Sequence, residues 1–218
     1  MVKTYDLIAF DWDGTLWDST AAITRAIQSA VFDVTGETPS QERASYVIGL
    51  GLKHALEHVA PQLCAEQYPA LGERYRHHFA REMFKVQLFD GVLGLLDALR
   101  ARGHTLVVAT GKSRSGLNEA LQAVELRGKF HGSRTADETR GKPDPTMLQE
   151  LMAEFDVPPE RTLMIGDTSH DLRMAANAGC HGLGVSYGAH SPDLLHAEPA
   201  RAVVHSVSEL HDWLVQHG

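Results

Sequence analysis

Short apolar runs that stop at polar residues recur along this chain. Residues 7–10, 105–109 and 163–165 are such runs, and their length and lack of alternation are typical of buried parallel strands. Segments in which apolar residues follow helical spacing separate the runs. This alternation predicts an α/β fold with a parallel sheet and helices on both of its faces.

Weaker patterns extend this alternation of strands and helices along the chain. Further short strands are predicted at residues 132–135, 181–186 and 203–204. Helices are predicted at residues 92–102, 113–124, 145–155, 172–178 and 207–215. Ligands of parallel sheets bind at the carboxyl ends of the strands, which share one edge. We therefore expect the polar motifs that follow the strands to converge at that edge.

Residues 18–85 differ from the rest because they carry helical spacing and no convincing strand. Helices are predicted over residues 21–34, from about 40, from about 53 and from about 65 to 84. The chain thus divides into a core of residues 1–16 and 86–218 and an inserted helical cap of residues 17–85. Since the cap enters directly after the first polar motif, it can cover the sheet edge as a lid.

The amino-acid composition limits the kinds of partner and metal site that the chain can have. With 43% hydrophobic and 22% charged residues over 218 positions, the chain can bury a core. Its net charge of −8 argues against nucleic acid as a partner, because binding phosphate backbones needs clustered Lys and Arg. A small phosphorylated metabolite remains compatible, since a few local cations and a metal ion can hold it. The thirteen histidines are scattered without a Cys/His cluster, which disfavours a zinc site.

Cysteine use and hydropathy indicate the compartment. Cys64 and Cys180 lie far apart and no secretory segment is recognised, so we expect free thiols in a reducing, cytoplasmic environment. No run of 18 apolar residues occurs, so no membrane partner is expected. The oligomeric state, monomer or dimer, stays open at this point.

Asp11 and Asp13 flank Trp12 at the end of the first strand. Side chains two residues apart on extended backbone point the same way, so both carboxylates can face one site while Trp12 faces the other side. An ionised Asp11 could attack phosphorus and form an aspartyl-phosphate. Asp13 could protonate the leaving oxygen and later deprotonate water. Gly14 permits the sharp turn behind the pair.

A second pair of carboxylates follows a later strand. Asp167 lies at the end of the strand predicted at residues 163–165, and Asp171 lies in the turn or first helical turn beyond it. Together with Asp11 they make an oxygen-rich site of the kind that Mg²⁺ prefers. Such an ion would shield a phosphate dianion from the anionic nucleophile.

Two further motifs could hold a phosphate group. Thr110 and Gly111 lie between a strand and a helix start, where a hydroxyl and backbone N–H groups form a phosphate cradle. Lys142, in a loop fixed by two following prolines, could pair with Asp11 and with the transferring phosphoryl group. Each motif alone has an ordinary explanation as a turn, a strand end or a solvated loop. Their occurrence together and in this order favours catalysis.

These motifs resemble those of the haloacid dehalogenase superfamily almost letter for letter. Residues 11–19 (DWDGTLWDS) resemble its first motif, Thr110-Gly111-Lys112 its second, Lys142-Pro143-Asp144-Pro145 its third and residues 166–171 (GDTSHD) its fourth. The helical insert resembles the small cap of the phosphoglycolate phosphatase-like branch, which includes pyrophosphatases, nucleotidases and β-phosphoglucomutases. The resemblance implies a Rossmann-like, three-layer core with this cap closing over it.

The resemblance also implies the chemistry of the first motif. Asp11 would be the nucleophile and Asp13 the general acid/base. Dehalogenases of this superfamily carry no carboxylate at the position of Asp13, because they have no alkoxide to protonate, and transport ATPases carry a threonine there. Asp13 therefore favours a phosphatase or a phosphomutase.

The same resemblance implies the ligands. Mg²⁺ would be held by Asp11, the backbone carbonyl of Asp13, and Asp167. Asp171 would orient a metal-bound water or Lys142. The phosphate would be bound by Thr110, Gly111 and Lys142.

Residues 48–54 (IGLGLKH) resemble the loop by which such caps reach the site. Lys53 and His54 are therefore candidate substrate contacts. In the alternative interpretation the two glycines only turn the chain between cap helices and Lys53 is solvated. Trp17 either lines the hinge between cap and core or packs against its neighbours.

The leading hypothesis is a Mg²⁺-dependent phosphatase that acts on a small phosphate monoester, with phosphoglycolate as the first candidate substrate. The alternatives within the branch are a sugar-phosphate mutase resembling β-phosphoglucomutase, and a pyrophosphatase or nucleotidase. A receiver-like signalling module also uses Asp, Thr and Lys on a parallel sheet. Receivers are much shorter, however, and have no helical insert after the first strand.

Overall fold

A parallel sheet forms the centre of the computed structural model, which describes residues 3–83, 86–122 and 124–218. Its strand order is β3-β2-β1-β4-β5-β6. The strands are β1 (Leu7–Phe10), β2 (Thr105–Thr110), β3 (Gly132–Thr135), β4 (Thr162–Gly166), β5 (His181–Val185) and β6 (Val203–Val204). All of the pairings are parallel, so every strand ends at the same edge.

The helices divide between the insert and the core. The insert contains α1 (Thr20–Thr35), α2 (Gln41–Tyr46), α3 (Leu52–Val59) and α4 (Tyr68–Glu82). The core contains α5 (Val92–Ala101), α6 (Arg114–Ala120), α7 (Thr146–Phe155), α8 (Ser169–Ala178), α9 (Pro192–His196) and α10 (Val207–His217). Among the described helices, none combines the length and apolarity that crossing a bilayer requires.

The alternation of side chains along β1 explains why helices cover both faces of the sheet, which gives three layers. Ile8 and Phe10 belong to an apolar cluster that α5, α6 and α10 cover, whereas Leu7 and Ala9 belong to a second cluster under α7 and α8. Residues two apart on a strand share a face, so a fully apolar strand can serve both sides of the sheet. The predicted fold class, an α/β parallel sheet with an added helical insert, is confirmed.

The insert has an apolar core of its own. Ile27 and Val31 from α1 pack with Leu56 of α3 and Leu71 of α4 in a cluster separate from those of the sheet. Two adjacent chain segments join the insert to the core. The Asp18 N–H donates to the Gln87 carbonyl at 2.8 Å, and Trp17 forms an antiparallel bridge with Leu88. Trp17 therefore lies where the two segments meet.

Several predicted boundaries shift for local reasons. Helix α8 begins at Ser169, earlier than the predicted residue 172, because the Thr168 hydroxyl and the Asp171 carboxylate form a capping box there. Helix α6 ends at Ala120, short of the predicted residue 124. The short helix α9 was not predicted. The predicted end of the fourth insert helix, Phe84, lies outside the described residues.

His104 gives the core a measurable acid sensitivity. Its ring is 2% exposed, and its Nδ1–H donates to the Tyr5 carbonyl at 2.8 Å. Burial lowers the pKa of His104, and the nearby charges of Arg102 and Lys3 lower it further. The unfolded chain, with an ordinary histidine pKa near 6.5, then binds a proton that the folded chain resists. Stability from this group is complete above about pH 6.5 and is lost as the pH falls below it.

We expect His104→Asn, which keeps a donor for the Tyr5 carbonyl but cannot titrate, to reduce the loss of stability between pH 7.5 and pH 5.5. One proton changes the free energy of unfolding by at most about 1.4 kcal/mol per pH unit. Urea unfolding at both pH values measures the difference. His196→Asn, at an exposed histidine, is the control. Equal pH dependence in wild type and His104→Asn would contradict the assignment.

Candidate active site

Three neighbouring strands deliver the polar motifs to one place. In the sheet β1 lies between β2 and β4, and Phe10 is level with Val108 of β2 and Ile165 of β4. Asp11 follows Phe10 directly and Asp167 lies two residues after Ile165. The two aspartates therefore lie side by side just beyond the ends of their strands. The predicted convergence follows from strand register alone.

Asp11 continues the alternation of β1 beyond the strand end. Trp12 packs with Ile8 and Phe10 in one apolar cluster, so Asp11 and Asp13 point to the other side. Both carboxylates line a cavity between the insert and the core, although Asp11 is only 1% exposed. We call this space, of about 580 Å³, the active-site cavity.

Gly14 brings the first and fourth motifs together. Its φ is +88°, and a Cβ at this position would lie 2.1 Å from Oδ2 of Asp167. Only glycine allows this backbone conformation and this approach. Asp167 also accepts a hydrogen bond from the Thr15 hydroxyl at 2.9 Å and one from the Ala189 N–H at 2.7 Å. Thr15 and Ala189 were not predicted as site residues.

Lys142 reaches this carboxylate group from the loop after β3. Its Nζ lies 2.6 Å from Oδ1 of Asp11 and 2.6 Å from Oδ1 of Asp171, and all three side chains are buried. Burial disfavours the charge on Lys142, but Asp11 and Asp171 together raise its pKa. The Thr168 N–H and hydroxyl donate to Oδ2 of Asp171, at 3.0 and 2.7 Å. Asp171 thus joins the helix cap of α8 to Lys142.

The carboxylates meet the requirements of a cation site. Asp11, Asp167 and Asp171 each place an oxygen within 4.8 Å of the others, and Oδ2 of Asp11 is buried without a hydrogen-bond partner among the described residues. Burial first, and the charge of Asp171 second, raise the pKa of Asp11 to about 7 against the opposing effect of Lys142. Burial and the neighbouring carboxylates also raise the pKa of Asp167. A divalent cation would remove this repulsion, and an oxygen-only donor set suits a hard ion. The residues therefore fit the metal that the motifs imply.

Asp13 has partners that sequence reasoning missed. The Lys112 ammonium donates to both carboxylate oxygens of Asp13, at 2.9 and 3.1 Å, and the Ser19 hydroxyl donates to Oδ1 at 2.8 Å. Lys112 follows directly after Thr110-Gly111, so its place in the second motif was a usable signal. Ser19 offered none, because its hydroxyl could equally have capped α1.

Thr110 and Gly111 lie at the end of β2, the strand next to that of Asp11. The Thr110 side chain is 1% exposed, and its hydroxyl accepts from the Lys112 N–H at 3.1 Å. Gly111 contacts the insert so closely that a Cβ would lie 2.4 Å from the Gly49 carbonyl oxygen. Both residues line the active-site cavity together with Asp11 and Asp13.

Comparison with known proteins identifies this arrangement. Residues 8–185 match the family model described as haloacid dehalogenase-like hydrolase. The chain belongs to that family. The predicted superfamily and enzyme class, a hydrolase, are therefore confirmed.

Curated relatives of this haloacid dehalogenase-like hydrolase carry different names. Probable phosphatase IndB of Dickeya dadantii is 32% identical over 94% of this chain and 91% of its own length. A 5'-nucleotidase of Pseudomonas aeruginosa is 32% identical over 98% of this chain and 97% of its own length. A phosphoglycolate phosphatase of Aliivibrio fischeri is 31% identical over 91% of this chain and 89% of its own length. Each of these similarities covers at least 91% of the hydrolase, so it extends over the core and most of the cap.

A solved structure agrees on the fold. The crystal structure of a hydrolase from Pseudomonas syringae superposes with a TM-score of 0.88 at 24% identity, and 99% of each chain is covered. This likeness supports the arrangement of core and inserted helices in the hydrolase.

The cap loop of the hydrolase reaches the site through its backbone and through apolar side chains. Gly49 touches Thr168 and Gly111, and Leu50 lines the active-site cavity. The predicted substrate contacts lie elsewhere: the Lys53 side chain is 81% exposed and pairs with Glu57 at 3.7 Å.

His54 is also exposed, beside Gly141, and it is not part of the cavity lining. The reason is helical phase. Helix α3 turns Ala55, Leu56 and Val59 inward, which leaves the positions of Lys53 and His54 on its outer side.

Two core histidines fasten the cap at a main-chain carbonyl. His170 and His190 donate from Nε2 to the Tyr46 carbonyl oxygen at 2.9 and 3.0 Å. The Ser169 N–H donates to Nδ1 of His190 at 3.0 Å, which places the ring proton on Nε2. The Tyr46 ring stacks on His190 with 5.1 Å between centroids. Sequence reasoning treated these histidines as scattered, and nothing in their spacing indicated the contact.

Gly111→Ala should displace the cap, because the new methyl group would overlap the Gly49 and Leu50 carbonyl oxygens at 2.4 and 2.7 Å. We expect faster hydrogen exchange in the loop of residues 47–52 and a lower melting temperature. Gly94→Ala is the matched control, since a Cβ there meets nothing within 4 Å. It lies inside α5, where alanine is favoured by about 0.5–1 kcal/mol. Unchanged exchange in Gly111→Ala would contradict the close cap contact.

Lys142→Met should leave the buried Asp11 and Asp171 carboxylates unpaired. Removing one partner of a buried ion pair costs about 3–5 kcal/mol, so the free energy of unfolding in chelator should fall by that amount. Adding Asp11→Asn to the same protein should recover part of the loss. Lys53→Met, at an exposed pair, should change stability by about 1 kcal/mol or less. Urea unfolding compares the variants, and equal losses for both lysines would disprove the buried pairing.

Proposed function

We propose that this hydrolase is a Mg²⁺-dependent phosphatase that hydrolyses a small phosphate monoester through an aspartyl-phosphate on Asp11. The observation that carries the proposal is the unpartnered, buried Oδ2 of Asp11 beside Lys142 and Asp167. An oxygen held at the cavity wall without a hydrogen bond keeps its lone pairs for a ligand. The phosphatase names of the relatives support the same reaction class.

Asp11 acts as the nucleophile. One of its carboxylate oxygens forms a bond to phosphorus while the bond from phosphorus to the ester oxygen breaks, giving the aspartyl-phosphate and an alcohol. Lys142, fixed between Asp11 and Asp171, orients Asp11 and places a positive charge beside the incoming phosphate. Thr110 and Gly111, at the end of the neighbouring strand β2, bind the phosphate oxygens.

Asp13 moves the proton. In its protonated form it donates that proton to the departing ester oxygen, and the carboxylate so formed then takes a proton from the water that attacks the aspartyl-phosphate, which regenerates Asp11 and releases inorganic phosphate. Its ion pair with Lys112 and its bond from Ser19 hold the carboxylate toward the cavity. Asp13 must loosen its contact with Lys112 to receive the ester oxygen, so Lys112 is placed to meet the substrate at the same step.

Mg²⁺ is the ion that we assign to the carboxylates. Asp11, Asp167 and the backbone carbonyl of Asp13 would hold it, and Asp171 would position Lys142. When bound, the ion supplies positive charge that lets an anionic phosphate approach an anionic nucleophile. The oxygen-only donor set and the raised pKa of Asp11 and Asp167 support this choice.

Phosphoglycolate is the first substrate to test, since a phosphoglycolate phosphatase is among the relatives. A nucleoside monophosphate is the second, because a 5'-nucleotidase is 32% identical over nearly the whole chain. A sugar-phosphate mutase would share the aspartyl-phosphate but return the phosphoryl group to a sugar. It would need a bisphosphate and release little inorganic phosphate, so phosphate release separates the two reactions.

The test is phosphate release from a panel of small monoesters with Mg²⁺. Asp11→Asn should lower turnover by at least about 10⁴-fold, because the nucleophile is lost. Asp13→Asn should lower it by roughly 10²–10⁴-fold, as expected for loss of acid–base help. Chelation of divalent cations should stop release and Mg²⁺ should restore it. Asp193→Asn, at an exposed aspartate, is the control.

A second readout avoids turnover altogether. Fluoroaluminate and beryllofluoride mimic a transferring phosphoryl group, so they should bind wild type with Mg²⁺ and lose affinity in Asp11→Ala. Phosphate release that survives Asp11→Asn, or fluoride-complex binding unchanged in Asp11→Ala, would refute the nucleophile.

A further inference from the structure

We propose that the substrate of this hydrolase has a bulky apolar, ring-sized leaving group, and that phosphoglycolate is a poor substrate. The inference rests on the proposed phosphatase reaction and specifies the alcohol that is released. It follows from the size of the active-site cavity, the chemistry of its walls and the position of its charges.

The cavity is much larger than a small acid requires. About 580 Å³ adjoin Asp11 and Asp13. Cavities of roughly 300–1,000 Å³ typically hold ligands of several rings. The two-carbon acid of phosphoglycolate would leave most of the space to water.

The walls of the cavity are mainly apolar, and the cap supplies most of them. Helix α1, the cap loop and helix α4 all contribute, with Ile27, Val47, Leu50, Phe79 and Met83 among the lining side chains. Trp17 adds an aromatic surface from the segment that joins cap and core. An apolar leaving group gains free energy by removing these surfaces from water, whereas a carboxylate loses hydration there.

An aromatic pair lies next to the acid/base. Tyr75 and Phe79 stack with 5.6 Å between centroids, and the Lys112 ammonium lies 5.3 Å from the centroid of Phe79. Burial raises the pKa of Tyr75, and the charge of Asp13 raises it further, which reflects the closeness of these two side chains. The leaving oxygen must lie at Asp13, so the group attached to it extends along this pair of rings.

The available charges do not suit a second anion beside the phosphate. The cations in the described lining are Lys112, which already pairs with Asp13, and Arg76, which is exposed. Ser115 and Glu119 are exposed as well. A glycolate carboxylate held next to the phosphate would therefore have to compete with Asp13 for Lys112. Apart from the buried Nε1–H of Trp17, its other neighbours would be mainly apolar.

The test compares four alkyl esters whose intrinsic reactivity is similar: ethyl phosphate, hexyl phosphate, 2-phenylethyl phosphate and phosphoglycolate. Because its phenyl group is buried, the 2-phenylethyl ester should exceed ethyl phosphate in kcat/KM by about 10–100-fold. The kcat/KM of hexyl phosphate should lie between those of these two esters. That of phosphoglycolate should be equal to or below that of ethyl phosphate. A ratio of ten or more for 2-phenylethyl phosphate over both ethyl phosphate and phosphoglycolate supports the inference, and any smaller ratio overturns it.

Variants locate the effect in the cavity. Phe79→Ala should lower the ratio of kcat/KM for 2-phenylethyl phosphate over ethyl phosphate by about fivefold or more. Phe32→Ala makes the same chemical change on the cap surface, where the ring is 54% exposed, and should leave the ratio unchanged. If Phe79→Ala does not fold, Leu50→Ala carries the same expectation. An unchanged ratio in the folded cavity variant overturns the assignment.

The outcome separates the two proposals. Phosphate release from ethyl phosphate and phosphoglycolate without preference for the larger esters keeps the phosphatase and rejects the apolar leaving group. If the wild-type enzyme with Mg²⁺ releases phosphate neither from the four esters nor from acetyl phosphate, the proposed phosphatase is rejected, and the inference is rejected with it.

Discussion

Repulsion among buried carboxylates is the constraint on which this hydrolase is built. Asp11, Asp167 and Asp171 lie within 4.8 Å of one another, and Lys142 is the buried ammonium that contacts two of them. One positive charge among three buried acids leaves the cluster short of cations. Burial, together with the charge of Asp171, raises the pKa of Asp11 even though Lys142 opposes the change. The same shortage of positive charge that costs stability creates affinity for a divalent ion. Stability and function therefore oppose each other here, and the surrounding apolar clusters must compensate.

The cap lines most of the cavity beside the carboxylate cluster, so it determines which substrates can enter. It touches the core at glycines, where backbone can approach backbone, and at the Tyr46 carbonyl, which two histidines hold. None of these contacts depends on the side chains with which the cap lines the cavity. The charged residues of the site belong to the core, and most of the apolar cavity lining belongs to the cap. Substitutions can therefore change one without changing the other. Lys112 connects the two, since it binds Asp13 and lies against Phe79.

The core was predictable because strand register is encoded locally. Apolar runs of a few residues and the motifs behind them fix where Asp11, Thr110 and Asp167 emerge, and parallel pairing then brings them together. Contacts between distant segments were not predictable in this way. The pairing of Lys112 with Asp13 depends on side-chain reach across two strand ends. The role of Lys53 and His54 stays a prediction, and their outward position follows from the phase of α3, which residue type alone does not reveal.

The adjacent segments at Trp17 and Leu88 have an evolutionary meaning. Because the chain leaves and rejoins the core at neighbouring points, linked by the Asp18 N–H and the Gln87 carbonyl, the core needs nothing from the insert to close its own sheet. A lineage could lengthen, shorten or exchange everything between these points without disturbing strand order.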